Sequence, residues 1–227
     1  MKRKILIVGI VLLSISLVSC KGNDPSFHDA ELINTIYRSL DCTSEQFTDS
    51  IVKYGLHVTS ISSAGVAYQN SARNETDKVG VSTHVKNDTI TRVVFERYLN
   101  GISAPADYYK LLSSAIFDHG YTDWHGYYSD PAERGTFAAV ENGNYSSTEE
   151  ASNRSDFYSH LDNEHLKAAD DSEQCYAETF TYTHEDGSRW RGDLILHGET
   201  HFEHGLFDGE GNYVKHIYLR FMLRRIG

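Results

Sequence analysis

The chain has 227 residues, of which 40% are hydrophobic and 23% are charged, a composition typical of a protein that folds around a hydrophobic core. Its formal net charge at pH 7 is −11, because 32 acidic residues outnumber 21 basic residues. A surface of this sign repels the phosphate backbone of DNA and RNA, which argues against a nucleic-acid-binding protein.

Residues 1–19 have the pattern of a secretory signal peptide. Three basic residues at positions 2–4 precede the aliphatic run Ile5–Val18, which only two serines interrupt. At about 14 residues, this run is shorter than the roughly 20 that a helix needs to span a bilayer. We therefore expect the chain to be exported.

The segment Leu17-Val18-Ser19-Cys20, at the end of this run, resembles the lipobox of bacterial lipoproteins. The resemblance implies that the Cys20 thiol receives a diacylglyceryl group, that a dedicated peptidase cuts before Cys20, and that the new amine is commonly acylated too. Several acyl chains together anchor a protein stably to a membrane. We therefore expect a protein held outside the cytoplasm, periplasmic or at the cell surface, with residues 20–26 as its lipidated tether.

Two cysteines remain beyond the tether, Cys42 and Cys175. An even number of cysteines in an exported chain favours a disulfide, with two separate thiols as the alternative. A Cys42–Cys175 bond would tie the first helices to the last sheet. It would also exclude two freely moving domains.

The first half of the chain predicts helices followed by antiparallel strands. Apolar residues from Ile33 to Leu40 recur at helical spacing, and Thr43 with Gln46 forms the capping box of a second helix that ends at Gly55. Period-two alternation then indicates strands, with Asn87-Asp88 as a hairpin turn. The predicted elements are helices over 28–40 and 43–55 and strands over 56–68, 79–85 and 89–99.

The second half begins with another helix, from Pro105 to Gly120, and ends in strands. We expect strands over 121–128 and 135–141, then a long polar stretch, 144–174, that holds one short helix. A four-stranded antiparallel meander follows, over 175–183, 188–196, 200–207 and 213–224. In its last strand, alternation predicts one face made of Ile217, Leu219, Phe221 and Leu223 and another made of His216, Tyr218, Arg220 and Arg224. The sequence thus predicts an α+β fold, with N-terminal helices packed on a mainly antiparallel sheet. Residues 27–227 form either a single domain or two related halves, 27–102 and 103–227.

The segment from His197 to His204 is the strongest candidate for a metal site, because it holds three imidazoles and two carboxylates. Such groups are zinc ligands, and His197, Glu199 and His201 are the candidate set. In a straight strand, however, His197 and His201 lie roughly 13 Å apart, so a shared zinc or similar ion requires a turn at Gly198. The alternative is a solvated strand face of alternating charge.

Aromatic residues suggest a binding surface. The candidates are Trp124, Tyr127, Tyr128 and Trp190, because tyrosine and tryptophan offer rigid, amphipathic contact area for protein or glycan partners. The alternative is that these side chains pack in the core or pair across strands.

No motif for a catalytic nucleophile or a phosphate-binding loop is present in the sequence. The sequence therefore predicts a lipid-anchored cell-envelope module that binds a protein or glycan partner without catalysing a reaction. Two alternatives stay open. One is a metal-dependent hydrolase that uses the segment from His197 to His204, and the other is a purely structural envelope protein.

Overall fold

A computed structural model describes residues 25–72, 78–100, 102–132, 135–167, 173–204 and 211–227, with the backbone alone at 25–27, 130, 131, 165, 201–204 and 211–213. The signal peptide, Cys20 and most of the tether lie outside these ranges, so export and lipidation stay predictions. None of the described helices is long and apolar enough to cross a membrane.

One nine-stranded antiparallel sheet organises the described residues, in the order β1-β2-β3-β4-β9-β8-β7-β5-β6. This confirms the predicted α+β class with a mainly antiparallel sheet. The strands are β1 Leu56–Ser62, β2 Gly65–Asn70, β3 Val79–Lys86, β4 Thr89–Tyr98, β5 Thr122–Ala132, β6 Glu149–Ala151, β7 Glu173–Thr183, β8 Arg189–His204 and β9 Gly211–Arg225.

The longer helices pack on one face of this sheet. The helices are α1 Pro25–Arg38, α2 Ser44–Ile51, α3 Pro105–Phe117, α4 Thr136–Glu141, α5 Arg154–Ser159 and α6 Asn163–Lys167. The predicted capping box at the start of α2 is confirmed: Thr43 accepts a hydrogen bond from the Gln46 N–H, and the Gln46 side chain accepts one from the Thr43 N–H. All but α4 supply buried apolar or aromatic side chains to the main core.

The core side of the sheet is built by strict alternation along the strands. On β9, Ile217, Leu219, Phe221 and Leu223 are each at most 3% exposed, which confirms the face predicted for this strand. The turn at Asn87-Asp88 is also confirmed, since both residues have positive φ angles, as a tight two-residue hairpin requires.

The two predicted halves meet at the centre of the sheet. The first half supplies β1 to β4, the second supplies β5 to β9, and the last strands of the two halves, β4 and β9, pair antiparallel. The halves therefore share one hydrogen-bonded sheet. Their common origin stays a hypothesis.

The predicted four-stranded C-terminal meander has three strands. The predicted strands 188–196 and 200–207 form a single strand, β8, because the chain does not turn at Gly198. Gly198 pairs with Gln174 on one side and Ile217 on the other, so neighbouring strands hold it extended. A Cβ atom at this position would lie 3.0 Å from the Gln174 Oε1 atom, so a larger residue here would require the Gln174 side chain to shift.

Two predictions within the second half were also wrong. Residues 135–141 form α4 rather than a strand, because Thr136 and Val140, one helical turn apart, are both buried. The stretch 144–174, predicted without strands, contains β6, which pairs with β5. The helix expected within that stretch is present as α5 and α6.

The predicted Cys42–Cys175 disulfide is not formed, and both thiols are free. Cys42 lies in the turn after α1, on the helix-covered side of the sheet. Cys175 lies on β7 and packs with Val140 and Ile195 on the opposite side. The sheet therefore separates the two sulfur atoms, and its hydrogen bonds join the halves that the disulfide was expected to join.

Thiol labelling checks this arrangement in a Cys20→Ser variant. Iodoacetamide should modify Cys42 in the native protein and should modify Cys175 only in denaturant, because Cys175 is 1% exposed and burial raises the pKa of its thiol to about 12. The measurement is peptide mass spectrometry without reductant. Two cysteines that stay unmodified in denaturant would mean that the disulfide exists.

Candidate functional site

The face of the sheet that lacks the longer helices, called the open face here, presents alternate side chains of each strand. On β4 and β9 these are the even-numbered residues, from Arg92 to Tyr98 and from His216 to Arg224. On β8 they are the odd-numbered residues from Arg191 to Glu199. Charged and aromatic side chains predominate on this face, whereas the other face carries the main core.

The short helix α4 lies on the open face and divides it. The Phe137 ring stacks on the His197 ring, with 4.2 Å between the centroids and 2° between the planes. Val140 packs in a small apolar cluster with Cys175, Ala177 and Ile195. These contacts leave a depression on each side of the helix.

The first depression has a volume of about 370 Å³. It lies over β2, β3, β4, β8 and β9, and the side chains around it include Gln69, Lys78, Glu96, Tyr98, Phe137, His197 and Tyr218. The Tyr98 ring lies 5.2 Å from the Tyr218 ring and is tilted against it. Tyr98 itself is 37% exposed, so part of an aromatic ring is available to a ligand.

Arg220 lies beneath this depression between two carboxylates. Its Nε atom is 3.3 Å from Glu96 Oε1, and its guanidinium also donates a hydrogen bond to Glu141. Burial, followed by the charge of Glu96, raises the pKa of Tyr218 far above its ordinary value. Tyr218 therefore stays a neutral hydroxyl, and Arg220 offsets the negative charge of Glu96 and Glu141.

The second depression, of about 380 Å³, lies on the β5 side of α4. Tyr127 and Tyr145 stack beside it, with their ring centroids 4.1 Å apart. Arg191 also lines it and pairs through its Nε atom with Asp193 at 3.4 Å. The open face thus carries two aromatic patches, each beside charged or polar side chains.

The four aromatic residues predicted to bind a partner do not come together. Trp190 is 0% exposed in the core, where its Nε1 atom donates a hydrogen bond to Ser188 Oγ. Trp124 packs against the main core, and the ring of Tyr128 stacks on His160. Of the four, Tyr127 alone lies on the open face.

The predicted metal ligands His197, Glu199 and His201 lie along a single strand, β8. His197 is 4% exposed beneath Phe137, and Glu199 pairs across strands with His216. The His201 backbone continues the strand opposite Val214, so the turn at Gly198 that would bring His201 to His197 is absent. Among the described side chains, which do not include that of His201, no group of three potential ligands could hold a metal ion.

A buried carboxylate, Glu178, lies on the other side of the sheet. It is 0% exposed and accepts hydrogen bonds from Ser113 Oγ at 2.6 Å and from Trp124 Nε1 at 3.0 Å. Arg154 Nε is 3.4 Å from the carboxylate. Because α3, α5 and β5 enclose Glu178, these contacts hold the helices to the sheet.

Sequence reasoning missed Tyr98, Glu96 and Phe137, which help to form the first depression. The alternation along the last strand did place His216, Tyr218 and Arg220 on a common face. The signal that was lacking was the pairing of β4 with β9, which places Tyr98 next to Tyr218.

Comparison with known proteins identifies no relative. No protein-family model matches the chain, and no curated protein matches it. The site must therefore be interpreted from its own residues.

The buried position of Glu178 predicts a pH effect on stability. Burial raises the pKa of the Glu178 carboxyl group above its ordinary value of 4.5. The folded protein therefore holds this proton more tightly than the unfolded chain. The resulting stabilisation is complete below pH 4.5 and is lost as the pH rises through the raised pKa. Glu178→Gln removes this loss. The variant should therefore gain stability relative to the wild type between pH 4.5 and neutral pH, as measured by urea unfolding.

The control is Glu31→Gln, which makes the same substitution at an exposed position. A wild type that gains stability over the Glu178→Gln variant as the pH rises would contradict this prediction. It would mean that the pairing with Arg154 outweighs the cost of burying the charge.

Proposed function

We propose that this protein is a lipid-anchored lipoprotein of the cell envelope that binds a protein or glycan partner through the open face of its sheet and catalyses no reaction. The observation that carries the proposal is the partial exposure of aromatic side chains around α4. Tyr98 and Tyr127 lie in separate patches on this face, each beside polar and charged groups. Such combinations of rigid aromatic rings and hydrogen-bonding groups are typical of binding surfaces.

The position of the tether is consistent with this role. The chain enters the fold through α1, whose residues Ile33, Ile36 and Tyr37 pack into the core on the helix-covered face. The lipid attachment that we propose for Cys20 thus leads into one side of the sheet, and the open face belongs to the other. A partner can approach the open face without competing with the packing of α1.

The polar groups of the first depression support recognition rather than chemistry. Gln69 and Lys78 offer hydrogen bonds to the hydroxyl groups of a sugar or to the backbone of a peptide. Glu96 and Glu141 are already paired with Arg220, and Tyr218 stays protonated. No observation on the described residues favours the alternative of a metal-dependent hydrolase, so we do not propose it.

Photo-crosslinking in cells tests the binding face. A benzoylphenylalanine residue at position 98 should give a discrete covalent adduct with a protein or glycan, because Tyr98 is partly exposed on the open face. The control is the same residue at position 111, since Leu111 is 43% exposed on α3 at the helix-covered side. Adducts are detected by electrophoresis and mass spectrometry. Equal adducts at both positions, or none at position 98, would contradict the proposal.

Lipid attachment is tested separately with Cys20→Ser. The wild-type protein should incorporate a labelled fatty acid and sediment with membranes, whereas the variant should do neither, because its hydroxyl replaces the thiol that carries the lipid. The crosslinking variants serve as controls that retain Cys20. Fatty-acid incorporation into Cys20→Ser would show that another residue carries the anchor.

A further inference from the structure

Three arginines stand side by side on the open face, on the neighbouring strands β4, β9 and β8 and near one end of each. Arg92 on β4 pairs across strands with Arg224 on β9, and Arg224 pairs with Arg191 on β8. Since neighbouring strands lie about 4.8 Å apart, the three side chains leave the sheet within roughly 10 Å of one another. We call these three residues the arginine row. His84 on β3 lies next to Arg92 and extends the row by one strand.

The arginine row is only partly neutralised by the protein itself. Arg191 pairs with Asp193 at 3.4 Å. Arg92 and Arg224, in contrast, form no ion pair among the described residues, although the charges of Glu96 and Glu141 act on Arg92 and the charge of Asp193 acts on Arg224. The buried Nε atom of Arg92 has no hydrogen-bond acceptor among these residues. The hydrogen bond found for Arg224 runs to the sulfur atom of Met222, at 3.9 Å, which is a weak acceptor.

This arrangement has a cost in the free protein. Like charges directly opposite each other on neighbouring strands repel and destabilise a sheet. Burial lowers the pKa of Arg92, and the positive charges of Arg220 and Arg224 lower it further. The chain as a whole has an excess of carboxylates, yet none of the described ones pairs with the guanidinium groups of Arg92 and Arg224. Residues kept at such a cost are typical of binding sites, where a ligand supplies the missing charge.

The shape and net charge of the protein restrict what this ligand can be. Arg191 borders the second depression, but Arg92 and Arg224 line neither of the two depressions described above. Most of the row therefore lies outside them, where a macromolecule can contact it better than an enclosed small molecule can. The net charge of −11 repels extended polyanions such as nucleic acids and anionic membranes. A short group of carboxylates on a protein surface avoids most of this repulsion, and guanidinium groups bind carboxylates with two parallel hydrogen bonds.

We propose that the arginine row binds an acidic segment of a protein partner, with the carboxylates of that segment pairing with Arg92 and Arg224. This inference rests on the proposed function and narrows it from a protein or glycan to a protein that carries clustered Asp or Glu residues. The aromatic patches at Tyr98 and Tyr127 lie on the same face and would contact the apolar flanks of that segment.

A fluorescent hexaglutamate peptide is the probe for this site. Its affinity for the mature protein in detergent is measured by fluorescence anisotropy at low salt, and it should fall as salt is added. The double variant Arg92→Met/Arg224→Met removes two positive charges but keeps the aliphatic stems that lie beside Val94 and Met222. It should bind the peptide about tenfold more weakly or worse.

The matched control is Arg38→Met/Lys53→Met, which removes the same charge from exposed positions on the helix-covered side. This control should bind like the wild type. Arg92→Lys/Arg224→Lys should recover part of the affinity, because it restores charge but not the two parallel hydrogen bonds. No binding by the wild type, or an equal loss in the control, would overturn the inference.

Two further measurements ask whether the arginine row prefers carboxylates to phosphates and whether it supports the fold. Inorganic phosphate and phosphatidylglycerol vesicles are offered in place of the peptide. Binding of either one that depends on Arg92 and Arg224, without binding of the peptide, would overturn the inference.

In the free protein, the melting temperature of the methionine double variant should equal that of the wild type or exceed it by about 1 to 3 °C, because the repulsion between the arginines is removed. A clearly lower value would mean that the arginines stabilise the fold, which would also overturn the inference.

The crosslinking experiment keeps the two proposals distinguishable. If the adduct at position 98 persists unchanged in the Arg92→Met/Arg224→Met protein, the arginine row does not hold the partner, but the open face still does. If the wild-type background gives no adduct at position 98, the proposed function itself fails.

Discussion

The pairing of β4 with β9 is the constraint on which the rest of this structure depends. It joins the strands of the first half to those of the second, and its register decides which side chains share a face. Phe95 opposite Phe221 places two aromatic rings in the core, while the adjacent pair, Glu96 and Arg220, faces the other way. Because side chains alternate along a strand, a slip of one residue would exchange the two faces. The core and the open face are thus specified by the same set of hydrogen bonds.

The two faces have different tasks, and their composition follows from this. The helix-covered face buries large apolar rings, and its enclosed carboxylate Glu178 accepts hydrogen bonds from Ser113 and Trp124. The open face has only α4 among the described helices packed against it. It therefore keeps exposed rings such as Tyr98 and positive charges such as Arg224, which would be costly to bury in a core.

The open face also illustrates how stability and function can compete. Arg220 is neutralised by Glu96 and Glu141 and so contributes to local order. Arg92 and Arg224 lie close to Arg220 on the same face, without carboxylates of their own among the described residues. The arginines of this face thus differ: Arg220 belongs to a structural ion-pair network, whereas Arg92 and Arg224 belong to the surface for which we propose a partner.

The sequence alone determined the features that depend on neighbours along the chain. Periodicity and local hydrogen bonding explain the α+β class, the capping box at Thr43, the turn at Asn87-Asp88 and the alternation of β9, and all four are present in the structure.

Tertiary structure decided the features that depend on residues distant in the sequence. Gly198 resembles a turn signal, but strands on both sides hold it extended, so His197 and His201 lie along one continuous strand. Cys42 and Cys175 were expected to pair, but the sheet passes between them. The candidate site was not visible in the sequence, because the juxtaposition of Tyr98 with Tyr218 and of Arg92 with Arg224 exists only once β4 lies beside β9.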